Sequence, residues 1–393
     1  MTAPHPFHVM TKPIGPRCNI ECSYCYYLEK EKLYPDEKKF RMQADMLERY
    51  IRDMIAAQVK AGQNTVSFAW QGGEPTMLGL DYFKDLVALQ KANCPDGVRI
   101  ENSLQTNGML VDDDWAAFFA REGFLIGISI DGPKQIHDRY RRDRAGRPTF
   151  DAVMQGLEAL KRNGVEFNIL TTIHRANAGK GREIYRFLRD LGTRHLQFIP
   201  IIERRAPDGD LAGAPLVDDD PSNTVTEWSV APKAYGKFLC DVFDQWYRRD
   251  IGRVFVQYFE NQLAQWAGYP ATLCVFAETC GGALALEHNG DLFNCDHFVY
   301  PEYRLGNIAD DDIGELAWSP EAKSFGQAKR EGLTKQCLRC EYRFACNGGC
   351  PKHRILHSAD GEAGHNYFCE SNTMFFRHAG PRLRELAREL RLR

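Results

Sequence analysis

Apolar and polar positions alternate along the first two thirds of the chain in two different rhythms. Short runs rich in β-branched and aromatic residues, Phe7–Thr11, Thr65–Trp70, Arg99–Gln105, Leu125–Ile130, Glu166–Thr172 and His195–Ile201, read as six strands. Between them, Asp45–Ala61, Leu80–Lys91, Asp113–Glu122, Phe150–Asn163 and Arg182–Leu191 carry apolar residues at spacings of three and four, and Tyr235–Tyr247 supplies a sixth helix. Strand and helix in strict succession predict parallel strands joined by helices. Six such units, rather than eight, predict an α/β fold with an open, partial (βα)6 barrel. Its active face would lie at the strand carboxyl ends, where Gln71–Pro75, Thr106–Gly108 and Asp131–Pro133 emerge.

The pattern changes twice. Arg204–Val230 lacks periodicity and is rich in Asp, Pro, Gly and Ala, so it reads as a surface excursion or lid, with Asp218–Asp220 as solvated charge. From Gly268 onward short strands, turns and cysteines take over, with a hairpin expected around Asn289-Gly290 from Ala283–Leu286 and Asp291–Asn294. The domains expected are therefore a barrel over 1–250, a cysteine-rich domain over 251–380 and a C-terminal helix over 381–393. That helix is Arg-rich and reads as a solvated terminal face rather than a nucleic-acid site.

Charge and length narrow the classes. The chain has 393 residues and a net charge of −3, from 50 Lys and Arg against 53 Asp and Glu, without the basic excess of a nucleic-acid binder. Its longest apolar stretch, Phe124–Ile130, is far short of the ~18 residues of a membrane helix, and its start lacks a signal-peptide pattern. A cytoplasmic protein with neither membrane nor nucleic acid as partner is expected. Thirteen cysteines, an odd number, fit metal or iron–sulfur ligation better than a disulfide framework.

Cys18, Cys22 and Cys25 directly follow the first strand. Three thiolates on one short loop can hold three irons of a 4Fe–4S cube and leave the fourth open to a substrate or cofactor. A zinc knuckle is the competing use, but the nearest fourth ligands, His5 and His8, lie across a Pro/Gly turn. Cys274, Cys280, Cys295, Cys337, Cys340, Cys346, Cys350 and Cys369 make eight more, enough for two fully ligated clusters, with two zinc sites as the alternative. Cys94 and Cys240 read as small core hydrophobes. Gly72 and Gly73 allow close backbone approach to a ligand, and Glu74 could accept a bond from an ammonium group.

The CX3CX2C spacing with Tyr24 before its last cysteine, followed by Gly72-Gly73-Glu74-Pro75, resembles the signature of radical S-adenosylmethionine enzymes. The eight later cysteines resemble the SPASM extension of that family. Over Gln71–Leu78, Asn102–Gly108, Gly127–His137, Asn294–Asp296 and Cys337–Cys350, among other segments, the chain is similar to the anaerobic sulfatase-maturating enzymes. This resemblance implies S-adenosylmethionine chelated to the open iron of one of three 4Fe–4S clusters. It also implies a 5′-deoxyadenosyl radical that starts oxidation of a sulfatase Cys or Ser, in a Cys-X-Pro-X-Arg-like motif or its Ser equivalent, to Cα-formylglycine. By position it assigns Tyr24, Ser129 and Arg141 to cofactor contacts, Ile202 to the adenine surroundings, and Asp296 to the role of general base. It divides the auxiliary ligands into Cys274, Cys280, Cys295 and Cys350 for one cluster and Cys337, Cys340, Cys346 and Cys369 for the other. A flavodoxin or ferredoxin-type electron donor is implied as a further partner. Arg139, Arg142 and Arg144 compete with Arg141, and Asp296 could instead simply end a strand or orient the cluster loop. Another SPASM peptide modifier, installing thioethers or epimerising residues, and a non-enzymatic zinc-binding module are the alternative functions.

Overall fold

The computed structural model describes residues 3–215 and 220–391, so Asp218 and Asp219 of the acidic run and the last two residues of the expected terminal helix lie outside the described residues. The chain forms two compact units. One comprises Met1–Ser129, Asp138–Phe167 and Gly281–Gly326, the other Ile130–His137, Asn168–Cys280 and Gln327–Arg393.

In the first unit, β1 (His8–Lys12), β2 (Thr65–Trp70), β3 (Arg99–Thr106) and β4 (Leu125–Ser129) are successive parallel neighbours. Alternation explains β2: Val66, Phe68 and Trp70 are buried while Thr65, Ser67 and Ala69 are less so. The helix Ala44–Lys60 buries Leu47, Tyr50, Ile51, Met54 and Ile55, one stripe at helical spacing. Each such side chain contributes about 1.5–3 kcal/mol on burial. Helix Asp113–Glu122 has both its ends encoded: the Asp112 carboxylate accepts from the Trp115 amide at 2.9 Å, and Gly123 ends the helix at φ 68°. Trp70 brings a polar atom inside, and its indole N–H donates to Asn102 Oδ1 at 2.8 Å.

The expected hairpin exists, as Ala283–Glu287 and Asp291–Phe293, with Arg304–Asn307 beyond it. Its placement was not readable from local pattern. Ala283–Glu287 runs parallel to β1 and pairs with it from His8↔Ala283 to Lys12↔Glu287. A strand from the cysteine-rich stretch thus extends the sheet of the first unit, and two ionisable residues become cross-strand neighbours.

In the second unit, β5 (Phe167–Ile173), β6 (His195–Pro200) and Phe255–Val256 are parallel neighbours. Helices Gly181–Asp190, Pro232–Arg249 and Gln257–Trp266 accompany them. The terminal helix departs from expectation. It spans Cys369–Arg391, enclosing Pro381, and buries Phe375, Phe376, Ala379, Leu383 and Ala387, so only its other face is solvated. Asp244 on Pro232–Arg249 accepts from His378 at 2.8 Å and Arg382 at 2.6 Å. Packing against a neighbouring helix offsets the hydrogen bond that Pro381 cannot donate. Within the 204–230 excursion, Arg204–Arg205 pairs antiparallel with Thr224–Val225, and Trp228 and Val230 are buried. Helix Lys134–Tyr140, too short to show periodicity, is absent from the sequence reading.

His288, buried just after the strand beside β1, contacts Glu37 and lies 3.6 Å from Glu287. Burial pushes the imidazole pKa down, but the two carboxylates outweigh it and the net shift is upward. A group whose folded pKa is raised contributes stability that is full below its unfolded value of about 6.5 and is lost as pH rises through the folded value. Anaerobic unfolding of wild type and His288→Gln should therefore differ most near pH 6 and progressively less above about pH 6.5. A difference that stays constant over this range would show that the ring remains neutral.

Candidate functional site

The cysteine loop leaves β1 through a Pro13–Pro16 turn. Cys18, Cys22 and Cys25 line one cavity of about 160 Å³, together with Tyr24, Gly72, Gly73, Gln105, Ser129 and Arg141. Backbone bonds hold the loop: Cys25 N donates to Cys22 O at 2.9 Å, and Glu21 N to Arg142 O at 2.7 Å. Arg144 Nε donates to Cys18 O at 2.9 Å, while Asn107 Nδ2 reaches Asn19 at 2.7 Å and lies 3.7 Å from Cys18 Sγ. Burial, with the nearby Glu74 charge, pushes the Cys18 thiol up to about 12, and burial also raises Cys25. Such thiols become thiolates only with a compensating cation, which irons supply. Among the described residues no three Cys, His, Asp or Glu side chains close on a point as ligands of a single ion do. The thiols instead ring a cavity, and an iron–sulfur cube fits this donor set.

The glycine loop is explained by the chain itself. A Cβ on Gly73 would stand 1.9 Å from Arg17 O, and Gly72 has φ +129°. Gly73 N donates to Gly15 O at 2.8 Å and Glu74 N to Arg17 O at 2.9 Å. The close approach that requires glycine is therefore to the segment carrying Cys18, while both glycines also face the cavity. Glu74 is fully buried. Its Oε1 accepts from Thr76 N at 3.1 Å, Thr76 Oγ1 at 2.5 Å and Thr106 Oγ1 at 2.8 Å, and its Oε2 from Asn107 N at 2.7 Å. Glu74 itself does not line the cavity, and burial raises its pKa despite these four bonds. Ser129, at the end of β4, accepts from Gln105 at 3.0 Å. Among the competing arginines the cavity is lined by Arg141, 5.6 Å from the Tyr24 ring, whereas Arg142 turns to Gly146 O and Arg144 to the cysteine loop. Ile202 is buried two residues past β6.

Asp296 is buried at the end of the hairpin. Its carboxylate forms an ion pair with Lys12, at the carboxyl end of β1, and accepts from Tyr26 Oη at 2.6 Å. Tyr26 follows Cys25, so this carboxylate is tethered to the cysteine loop. Burial raises its pKa, but Lys12, the His297 charge and the Tyr26 bond outweigh burial and hold it below the ordinary carboxylate range. Lys12 also lies 4.4 Å from the centre of the Tyr27 ring. Neither Lys12 nor Tyr26 was singled out from sequence; a lysine ending an apolar strand at the active face was the available signal.

In the second unit Cys337, Cys340, Cys346 and Cys369 line a cavity of about 280 Å³. Cys274, Cys280 and Cys350 form a separate neighbourhood in which each is close enough to influence the buried Lys329. Lys329 Nζ donates to Cys274 O at 2.6 Å and Val275 O at 3.1 Å. Burial pushes the Cys346 and Cys350 thiols up to about 11, so these groups too suit iron rather than free thiolate. Cys295 stands in the first unit, next to Asp296. The Cys94 thiol points to Val98 O at 3.2 Å, apart from either group.

Residues 13–188 match the radical SAM superfamily and residues 274–341 an iron–sulfur cluster-binding domain, SPASM. The serine-type anaerobic sulfatase-maturating enzyme of Bacteroides thetaiotaomicron is 40% identical over 98% of this chain and 92% of its own length. The cysteine-type enzyme of Clostridium perfringens is 32% identical over 98% and 100%. The solved structure of native anSMEcpe with bound AdoMet matches at a TM-score of 0.83 and 32% identity, covering 98% of this chain and 100% of that one. With the partial α/β barrel, the loop of three cysteines and the auxiliary cysteine groups on one chain, these similarities agree: the protein belongs to the anaerobic sulfatase-maturating enzymes, radical S-adenosylmethionine oxidoreductases whose cofactors are S-adenosylmethionine and three 4Fe–4S clusters.

Proposed function

We propose that this enzyme oxidises the active-site Ser of a sulfatase polypeptide, or its Cys counterpart, to Cα-formylglycine, with Asp296 as the general base. The observation that carries the reading is the buried carboxylate of Asp296, paired with Lys12 and bonded through Tyr26 to the loop of Cys18, Cys22 and Cys25. Identity of 40% to a serine-type relative against 32% to a cysteine-type one favours serine. The solved structure of anSMEcpe with AdoMet and the Cp18Cys peptide, matched at a TM-score of 0.83, supports a peptide substrate.

Oxidation of the serine Cβ to an aldehyde removes two electrons and two protons. The cofactor, when bound, supplies the species that takes one hydrogen atom. The second proton, from the side-chain oxygen or sulfur, passes to Asp296, which its pairing with Lys12 fixes in one orientation. The remaining electron needs an acceptor, which auxiliary clusters held by the eight later cysteines would supply, with a one-electron carrier of the flavodoxin or ferredoxin type as the implied partner. For Cys the product is a thioaldehyde that water converts to the aldehyde.

In this reading Cys18, Cys22 and Cys25 ligate the first cluster. Cys274, Cys280, Cys295 and Cys350 ligate one auxiliary cluster, and Cys337, Cys340, Cys346 and Cys369 the other, the second set being supported by the cavity those four share. Ser129 and Arg141 take the carboxylate of S-adenosylmethionine. The backbone of Gly72 and Gly73 and the carboxylate of Glu74 take its ammonium, Tyr24 lines the same cavity, and Ile202 is assigned to the adenine surroundings. Functionally the barrel ends near residue 250 and the auxiliary-cluster domain follows, taking in the start of the helix Cys369–Arg391. Free thiols throughout suit the reducing cytoplasm, and among the described residues no helix is long and apolar enough to cross a membrane.

Mass spectrometry of a Ser peptide and its Cys counterpart, incubated anaerobically with enzyme, reductant and S-adenosylmethionine, tests the activity. Loss of two hydrogens from the Ser peptide is expected. A thioether or an epimer in its place would assign the chain to another peptide modification. Replacing Cys18, Cys22 and Cys25 together by Ala should abolish S-adenosylmethionine cleavage and lower iron from about twelve to about eight per chain, four per cluster. Cleavage surviving in that variant would remove the assignment. Asp296→Asn should still form 5′-deoxyadenosine with peptide present, yet lose formylglycine by at least ~10²-fold, the usual cost of removing a positioned base. Product near the wild-type yield would transfer the role of base elsewhere.

A further inference from the structure

The second unit buries a guanidinium that none of the chemistry above uses. Arg354 is 8% exposed. Its described hydrogen bonds all run to backbone carbonyls: Nε to Gly348 at 3.2 Å, Nη1 to Gly332 at 3.3 Å and Nη2 to Asn347 at 3.4 Å. Two of those carbonyls belong to the three-residue turn between Cys346 and Cys350, which joins a ligand of one auxiliary cluster to a ligand of the other. This turn exists because Asn347, Gly348 and Gly349 all have positive φ, of 47°, 70° and 64°. The ionisable groups that act most strongly on Arg354 are Cys337, Cys350, Cys280 and Cys346, two from each proposed ligand set. Carbonyl dipoles hold the guanidinium without cancelling its charge, and arginine does not lose its proton.

We infer that Arg354 is a positioning residue for electron transfer, a fixed cation shared by the two auxiliary clusters that raises the reduction potential of both and so makes them acceptors for the electron left on the substrate. The inference rests on the proposed division of cluster ligands. Reduction adds one negative charge to a cluster, so a nearby buried cation stabilises the reduced form more than the oxidised form. The electron balance is that of the proposed reaction. After loss of a hydrogen atom and a proton, the substrate gives one electron to an auxiliary cluster, which later passes it to the one-electron carrier. Lys329 is the natural comparison, because the thiols acting on it are Cys280, Cys350 and Cys274, which belong to the first auxiliary set alone.

The test is an anaerobic redox titration followed by electron paramagnetic resonance, in full-length protein carrying Cys18→Ala, Cys22→Ala and Cys25→Ala so that only the auxiliary clusters report. Arg354→Gln should move both auxiliary signals to more negative potential by at least a tenfold change in the oxidised-to-reduced ratio, about 59 mV for one electron, whereas Arg354→Lys should stay near the parent. Lys329→Met should move one signal only. Gly332→Asp provides an independent arm, since a Cβ there stands 3.5 Å from Arg354 Nη1 and its carboxylate would neutralise the guanidinium without removing it. That variant should shift both signals in the same direction, and it decides the matter should Arg354→Gln lose iron. Unmoved potentials with about eight irons still bound per chain overturn the inference while sparing the ligand assignment, as does an Arg354→Lys shift equal to that of Arg354→Gln. Absence of auxiliary signals from the parent protein overturns both.

Discussion

A thiolate in an apolar interior is unstable unless a cation meets it, and most of the functional architecture of this protein answers to that constraint. Cys18 and Cys22 are buried at the head of the barrel, and the half-buried Cys346 meets the terminal helix, its sulfur accepting from Asn372 Nδ2 at 3.5 Å. Burial pushes the Cys18 thiol up to about 12 and those of Cys346 and Cys350 up to about 11. The same burial protects thiolates once irons hold them. The backbone around each group is correspondingly tight: Gly73 has no room for a side chain beside Arg17, and the turn between Cys346 and Cys350 runs through three residues of positive φ.

The carboxylates obey a related rule and meet it differently. Glu74 has no cation beside it among the described residues; four hydrogen-bond donors bind it and the glycine loop to the end of β3, while burial raises its pKa. Asp296 is held by an ammonium and a phenol, and therefore keeps its charge in a buried site. Both arrangements place acceptors around the cysteine loop without a mobile surface segment. Their geometry comes from strand ends, with Lys12 ending β1 and Thr106 ending β3.

Two cations in the second unit complete the distribution of charge. Lys329 and Arg354 are buried among backbone carbonyls, close to the cysteines that the auxiliary clusters require. In the proposed reaction these cations would stand beside the clusters that accept the electron, while Asp296 would take the proton.

The six strands, the helices between them and the cysteine spacings were legible in the sequence because each depends on local rules: period-two and period-3.6 burial, caps such as Asp112 and Gly123, and ligands only a few residues apart. Strand ends shifted by a residue, as when β1 ran to Lys12 rather than Thr11, since a terminal residue is fixed by its ladder partner and not by its own propensity. Pairing across long separations was not legible. Nothing local says that Ala283–Glu287 lies parallel to β1, that Asp296 meets Lys12 and Tyr26, or that the terminal helix begins at Cys369 and docks along Pro232–Arg249. The sequence by itself determined which chemistry the chain can carry, because thiols, glycines and carboxylates are written residue by residue. Tertiary structure alone decided which charges face each other, because that depends on distances closed by burial of the whole core, and a buried charge takes its state from whatever the fold brings within a few ångströms.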